Sequence, residues 1–159
     1  MGTSVEDDQL IFEEKSEAFT CGIGISSDEK YYFISTSDHN TSEQYYFSID
    51  EENPKPKLIK ERKRGVIYSV NSWDGKFYLH TNEQAEDFKI DYCEDLKNQK
   101  WKSFIPAKEE VLIGGLVFLK NWIIRSETSN ALGKLIIRDP KTGEENDINF
   151  VDEKVIVPS

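Results

Sequence analysis

Paired apolar runs recur along this chain at a fixed interval. Residues 31–34 (YYFI) and 45–49 (YYFSI) flank a polar turn of Ser, Asp, Asn and Thr, the pattern of a β-hairpin. Residues 76–80 (KFYLH) and 88–92 (FKIDY) repeat the pair, as do 121–124 (NWII) and 135–138 (LIIR). The leading members begin at 31, 76 and 121, 45 residues apart each time. A period in the forties with several short strands per period is the signature of a β-propeller blade, a unit that buries its apolar face only by stacking on its neighbours.

A further strand precedes each hairpin: 20–26 (TCGIGIS), 67–72 (IYSVNS) and 112–119 (LIGGLVFL). Glycine weakens a strand unless something must come close, and an innermost strand is crowded at a propeller axis. Another strand follows each hairpin, in KPKLIKERK, KSFIPAKEE and NDINFVDEK, with a first copy already present in DDQLIFEEK. Aligned on Ile11, Ile59, Ile105 and Ile148, these are 48, 46 and 43 residues apart. Asp74-Gly75 is a tight-turn signal, and Asp139-Pro140 with Gly143 is a second turn. Residues 91–102 lack an apolar 3.6 period and read as a long connection. The expectation is an all-β, partial β-propeller of about three four-stranded antiparallel blades, residues 17–61, 62–108 and 109–152. An outer strand of a preceding blade is expected at 8–14, and VIVPS is expected to open a further inner strand.

The chain has 159 residues, enough for one domain or a piece of a larger one. Its net charge of −10 argues against a nucleic-acid binder, which needs a basic face for phosphates. No apolar run approaches a membrane span, and MGTSVEDDQL lacks the basic-then-apolar order of a signal peptide. The expected compartment is the cytoplasm. Cys21 and Cys93 are too few for a disulfide scaffold or a zinc site and read as ordinary strand residues.

Catalytic chemistry finds no foothold in these residues. Gly22-Ile23-Gly24-Ile25-Ser26 mimics the start of a nucleophile elbow, but no glycine sits two residues beyond Ser26. His39 lies in a turn and His80 at a strand end, and neither has a motif around it; both read as structural or solvent-facing. Cys21 has no histidine signature beside it. Glu6-Asp7-Asp8 lacks the ligand alternation of a calcium loop and reads as a solvated flank. The one basic concentration, residues 55–64 (KPKLIKERKR), reads as a charged edge strand in preference to a dock for an acidic partner. Asn40-Thr41-Ser42 fits a glycosylation sequon that has no meaning without secretion. No phosphate loop or dinucleotide fingerprint is present, so the expected catalytic, cofactor and metal residues are none.

Four stretches in order resemble the propeller of the prolyl oligopeptidase family, closest to its oligopeptidase B (protease II) branch. They are GT…DDQLIFEEK within residues 2–15, TSEQYYFSID at 41–50, FYLHTNEQAEDFKI at 77–90 and WKSFIPAKEEVLIGG at 101–115. The resemblance implies a serine peptidase that cleaves short peptides after Lys or Arg, with a seven-bladed propeller capping an α/β-hydrolase domain. It also implies that the catalytic Ser, Asp and His, and the acidic residues that read the basic side chain, belong to the hydrolase domain. None of those motifs occurs here, so no catalytic residue is carried over. The chain is therefore expected to be an inactive fragment of the lid, the product of a broken gene in preference to a cloned subregion. Its expected partners are the missing blades and the hydrolase domain, with self-association through open blade faces and at most weak peptide binding. The other reading is a free-standing β-sheet interaction module, which polar caps on the terminal blade faces would mark.

Overall fold

The computed structural model describes residues 10–151 and 154–156. Every regular element among them is a strand, and the strands form three antiparallel sheets. The first holds β1 (Thr20–Ile25), β2 (Tyr31–Ser37), β3 (Ser42–Ser48) and β4 (Lys57–Leu58). The second holds β5 (Tyr68–Trp73), β6 (Lys76–Thr81), β7 (Lys89–Cys93) and β8 (Lys102–Ile105). The third holds β9 (Leu112–Phe118), β10 (Ile123–Ser129), β11 (Leu132–Arg138), β12 (Glu145–Val151) and β13 (Lys154–Ile156). In each sheet neighbours in space are neighbours in sequence, the meander expected of consecutive blades. The chain divides into two compact units, Met1–Ser69 and Val70–Ser159.

Four expectations need correction. Residues 10–16 carry no strand, although an outer strand was expected at 8–14; residues 8 and 9 lie outside the described residues. A strand needs a neighbouring ladder, and this segment has side-chain anchors instead. The ring of Phe12 sits 4.6 Å from that of Tyr45, and Glu14 pairs with Arg62. Within VIVPS, the residues up to Ile156 do not open a new sheet. β13 turns back onto β12, with Asn149 opposite Ile156 and Val151 opposite Lys154, and covers the last part of that edge. The third hairpin starts at Ile123, not residue 121, because Leu119 and Trp122 close a turn by exchanging backbone hydrogen bonds. The long connection shortens to 94–101, since β7 runs to Cys93.

In the first unit, register assigns the faces. Tyr32 opposes Phe47, Ile34 opposes Tyr45, and Thr36 opposes Glu43, so these six share one side; Phe33 and Tyr46 share the other. Phe33, Ile34, Tyr46 and Phe47 are all buried. Ile59 and Tyr68 complete the buried set. The Tyr68 hydroxyl donates to the Lys60 carbonyl and accepts from the Gln44 N–H at 2.8 Å, tying the outer segment to β3. Burial pushes the Tyr68 hydroxyl pKa up to about 12.

In the second unit, Tyr78, Ile90 and Ile105 of the second sheet pack against Ile113 of the third. Trp73 stacks on Phe118 at 5.6 Å across the same seam. Ile90 and Ile113 are fully buried, worth roughly 1.5–3 kcal/mol each by area. Among the glycines of β1 and β9, the expectation of crowding holds at Gly114 alone, where a Cβ would overlap Ser126 Oγ. Around Gly22 and Gly24 a Cβ would meet nothing within 4 Å.

Candidate functional site

Of the residues that could do chemistry, Ser26, His80 and Cys93 are engaged in structural hydrogen bonds. Ser26 is buried at the β1–β2 turn; its hydroxyl donates to Asp28 Oδ1 at 2.6 Å and accepts from the N–H groups of Lys30 and Tyr31. That fills a hydroxyl's capacity of one donor and two acceptors, so Ser26 is a turn-former with no base attached. His39 is exposed on the β2–β3 turn. His80 is half-buried, stacked 4.7 Å from the Phe88 ring, with its Nε2 directed at the Ile113 carbonyl. Burial lowers its pKa below 6.5, and the hydrogen bond to Ile113 opposes that only in part.

Both cysteines are free thiols. Cys21 is exposed on β1. Cys93 is buried, hydrogen-bonded to the Asp95 carbonyl at 3.6 Å, and burial pushes its pKa up to about 11, the opposite of an activated nucleophile. Glu6-Asp7-Asp8 lies outside the described residues. Among those described, no three His, Cys, Asp or Glu side chains converge as metal ligands. In the sequon, Asp38 Oδ1 accepts from the N–H groups of Asn40 and Thr41, and Thr41 is buried.

The basic run is partly spent on structure. Lys57 stands on β4, the edge of the first sheet, as the edge-strand reading requires. Arg62 turns inward, donating to Glu43 Oε1 and to Glu14, and its guanidinium lies 4.1 Å over the Phe19 ring. Burial would raise the Glu14 pKa, but the Ser16 N–H and Arg62 outweigh it and hold the carboxyl below its ordinary value. This cluster fastens the segment preceding β1 onto the sheet.

The second unit holds a larger charged cluster that the sequence reading missed. Arg125 and Glu127, two apart on β10, share one face and are both nearly fully buried. Arg125 Nε donates to Glu127 Oε2 at 2.8 Å, while its two terminal nitrogens donate to Glu145 of β12. Lys108 caps Glu127 at 2.9 Å, and Arg138 donates to Glu145 at 2.8 Å. Hydrogen bonding to Arg125, joined by Arg138, outweighs the upward push of burial and pulls the Glu145 pKa down to about 2. A cleft of about 630 Å³ opens over this cluster, lined also by Lys134 and Asp147. Its charges are mutually paired, so it offers structure more than reactivity. The available signal was R-S-E, two charges at period 2 where a strand's inward face should be apolar.

The family model described as the prolyl oligopeptidase N-terminal β-propeller domain matches residues 1–158. Protease 2 of Moraxella lacunata is 37% identical over 93 residues, which cover 58% of this chain and 14% of that protein. Dipeptidyl aminopeptidase BI of Pseudoxanthomonas mexicana is 26% identical over 138 residues, 85% of this chain and 19% of that one. The solved structure of oligopeptidase B from Trypanosoma brucei superposes with a TM-score of 0.83 at 17% identity, covering 94% of this chain and 23% of its own. Oligopeptidase B from Leishmania major gives 0.82 at 16%, covering 96% and 23%. The chain thus spans less than a quarter of the length of each of these proteins. Matched across residues 1–158, the chain belongs to the prolyl oligopeptidase family, as part of its N-terminal β-propeller domain.

Proposed function

We propose that this chain serves as part of the substrate-gating lid of an oligopeptidase B-like serine peptidase, with blades at residues 17–61, 62–108 and 109–152. The peptidase chemistry resides in an α/β-hydrolase domain that this chain does not supply, and the chain alone hydrolyses nothing. The observation that carries this reading is the family match across residues 1–158 to a propeller domain rather than to a hydrolase. The state of Ser26, Cys93 and His80, each held by a structural hydrogen bond, supports it.

The partners in this reading are the remaining blades and the hydrolase domain, in the cytoplasm. Among the described residues no helix is long and apolar enough to cross a membrane. Ile23 and Ile25, 60% and 50% exposed on one face of β1, are the kind of apolar edge that a neighbouring blade or a second copy would cover.

The test is a graft. These 159 residues replace the matching propeller segment of Moraxella lacunata Protease 2, and hydrolysis of short Lys- or Arg-containing peptides is compared with hydrolysis of a folded protein. The lid reading expects a soluble chimera that cleaves the peptides and spares the folded protein. A soluble chimera that cleaves both alike, or that cleaves neither while a serine-directed reagent still labels it, would overturn the reading.

A further inference from the structure

A second cavity, of about 330 Å³, lies between the second and third sheets, at the end where β6 and β10 begin. Lys76, Tyr78, Tyr92, Ser103, Phe104 and Arg138 line it. Its chemistry is one-sided. Two cations and three hydroxyls face it, and no carboxylate is among its lining residues, in a chain of net charge −10.

The cations are held in place by aromatic rings. Arg138 Cζ lies 4.6 Å from the centre of the Phe104 ring, and Lys76 Nζ lies 5.5 Å from that of Tyr92. A third ring, Tyr78, packs edge-on to Phe104 at 5.2 Å and makes the wall between them. Stacking orients a guanidinium without consuming its in-plane donors. Of those donors, Arg138 Nη1 goes to Glu145 Oε2 at 2.8 Å. The other guanidinium edge remains to be matched.

Burial, followed by the nearby Asp74 charge, raises the Tyr78 pKa, so its hydroxyl stays protonated and able to donate at neutral pH. The Asp74 charge acts on Tyr78, and Glu145 is already doubly engaged by Arg125 and Arg138.

We propose that this pocket binds the terminal oxyanion, carboxylate or phosphate, of a small organic ligand, with Arg138 as the fork, Lys76 as the point charge and the hydroxyls as supporting donors. The apolar faces of Phe104 and Tyr78 take the body next to the oxyanion. A planar guanidinium beside a mobile ammonium suits a two- or three-oxygen head group better than a halide. The site stands on this geometry alone and is independent of the peptidase-lid reading.

The test titrates the purified chain at fixed ionic strength and pH 7 with three probes, followed by NMR shift changes and calorimetry. The probes are acetyl-glycyl-phenylalanine, the same peptide as its C-terminal amide, and inorganic phosphate. Saturable binding of the free acid or of phosphate with Kd of about 1 mM is expected, and binding of the amide at least about tenfold weaker. Binding of the acid alone assigns a carboxylate on an apolar body; equal binding of phosphate assigns the oxyanion by itself.

Lys76→Gln, at the exposed first residue of β6, leaves the fold intact and weakens binding about fivefold, and Arg138→Lys does the same by removing the fork. Equal affinity for acid and amide, no saturation by either anion up to about 10 mM, or a Lys76→Gln variant that binds as the parent does would overturn the proposal.

Discussion

The ring of His80 donates its Nε2–H to the backbone carbonyl of Ile113 at 2.7 Å. One partner belongs to β6 and the other to β9, so this bond links two sheets of the second unit through their shared core. Ile113 is anchored from its other side as well, its N–H donating to the Asp87 carbonyl at 2.9 Å.

Protonation of His80 is disfavoured by burial in the folded state, so its folded pKa lies below the unfolded value of 6.5. Between those two values the unfolded chain binds more protons, and stability falls as the pH drops through that window. Thermal melts from pH 7.5 downward are expected to show this loss beginning near 6.5. Replacing His80 with Phe removes the donor and orphans a buried carbonyl, at a cost of about 1–3 kcal/mol at neutral pH. His80→Gln keeps a donor, costs less, and flattens the melt dependence below pH 6.5.

Glu145 behaves in the opposite sense. Its carboxyl is held near 2 by Arg125 and then Arg138, against 4.5 unfolded. The stabilisation is complete above about 4.5 and is lost as the pH falls from there toward 2. Glu145→Gln is expected to cost about 1–2 kcal/mol at pH 7, discounted for its partial exposure, and to leave a shallower acid limb in denaturant titrations. Arg125→Met is expected to be worse, by about 3–5 kcal/mol, because it leaves the buried Glu127 with Lys108 as its remaining cation.

The glycines of β1 and β9 are not equivalent. Gly114→Ala drives a methyl into Ser126 Oγ and is expected to cost about 1–3 kcal/mol. Gly22→Ala and Gly24→Ala meet open space, and by restricting the unfolded chain they are expected to stabilise by up to about 1 kcal/mol. A denaturation series on the three variants reads this directly. A second change, Ser126→Ala, should return much of what Gly114→Ala loses.

Much of the fold was legible because the alternating aromatic pairs and turn residues are local. Asp74-Gly75, with φ of 49° and 76°, is a turn that its residue types announce. The equivalent turn after β10 falls on Asn130-Ala131, with φ of 51° and 62°; alanine gives no hint of a left-handed conformation, so the true ends of β10 and β11 stayed hidden. The strand expected around Leu10 failed for a different reason. Its apolar run has strand-like composition, but ladder formation depends on a neighbour that local sequence does not specify. The Arg125 cluster and the Arg138 pocket were out of reach because their members come from strands up to about sixty residues apart, and only the register of the sheets brings them together.

The most direct test of the central claim is a turnover assay of the purified 159-residue chain on a short fluorogenic peptide ending in Lys or Arg. The account predicts a rate indistinguishable from buffer at every peptide concentration. Saturable turnover that a serine-directed inhibitor abolishes would contradict it and would place a catalytic centre within this chain.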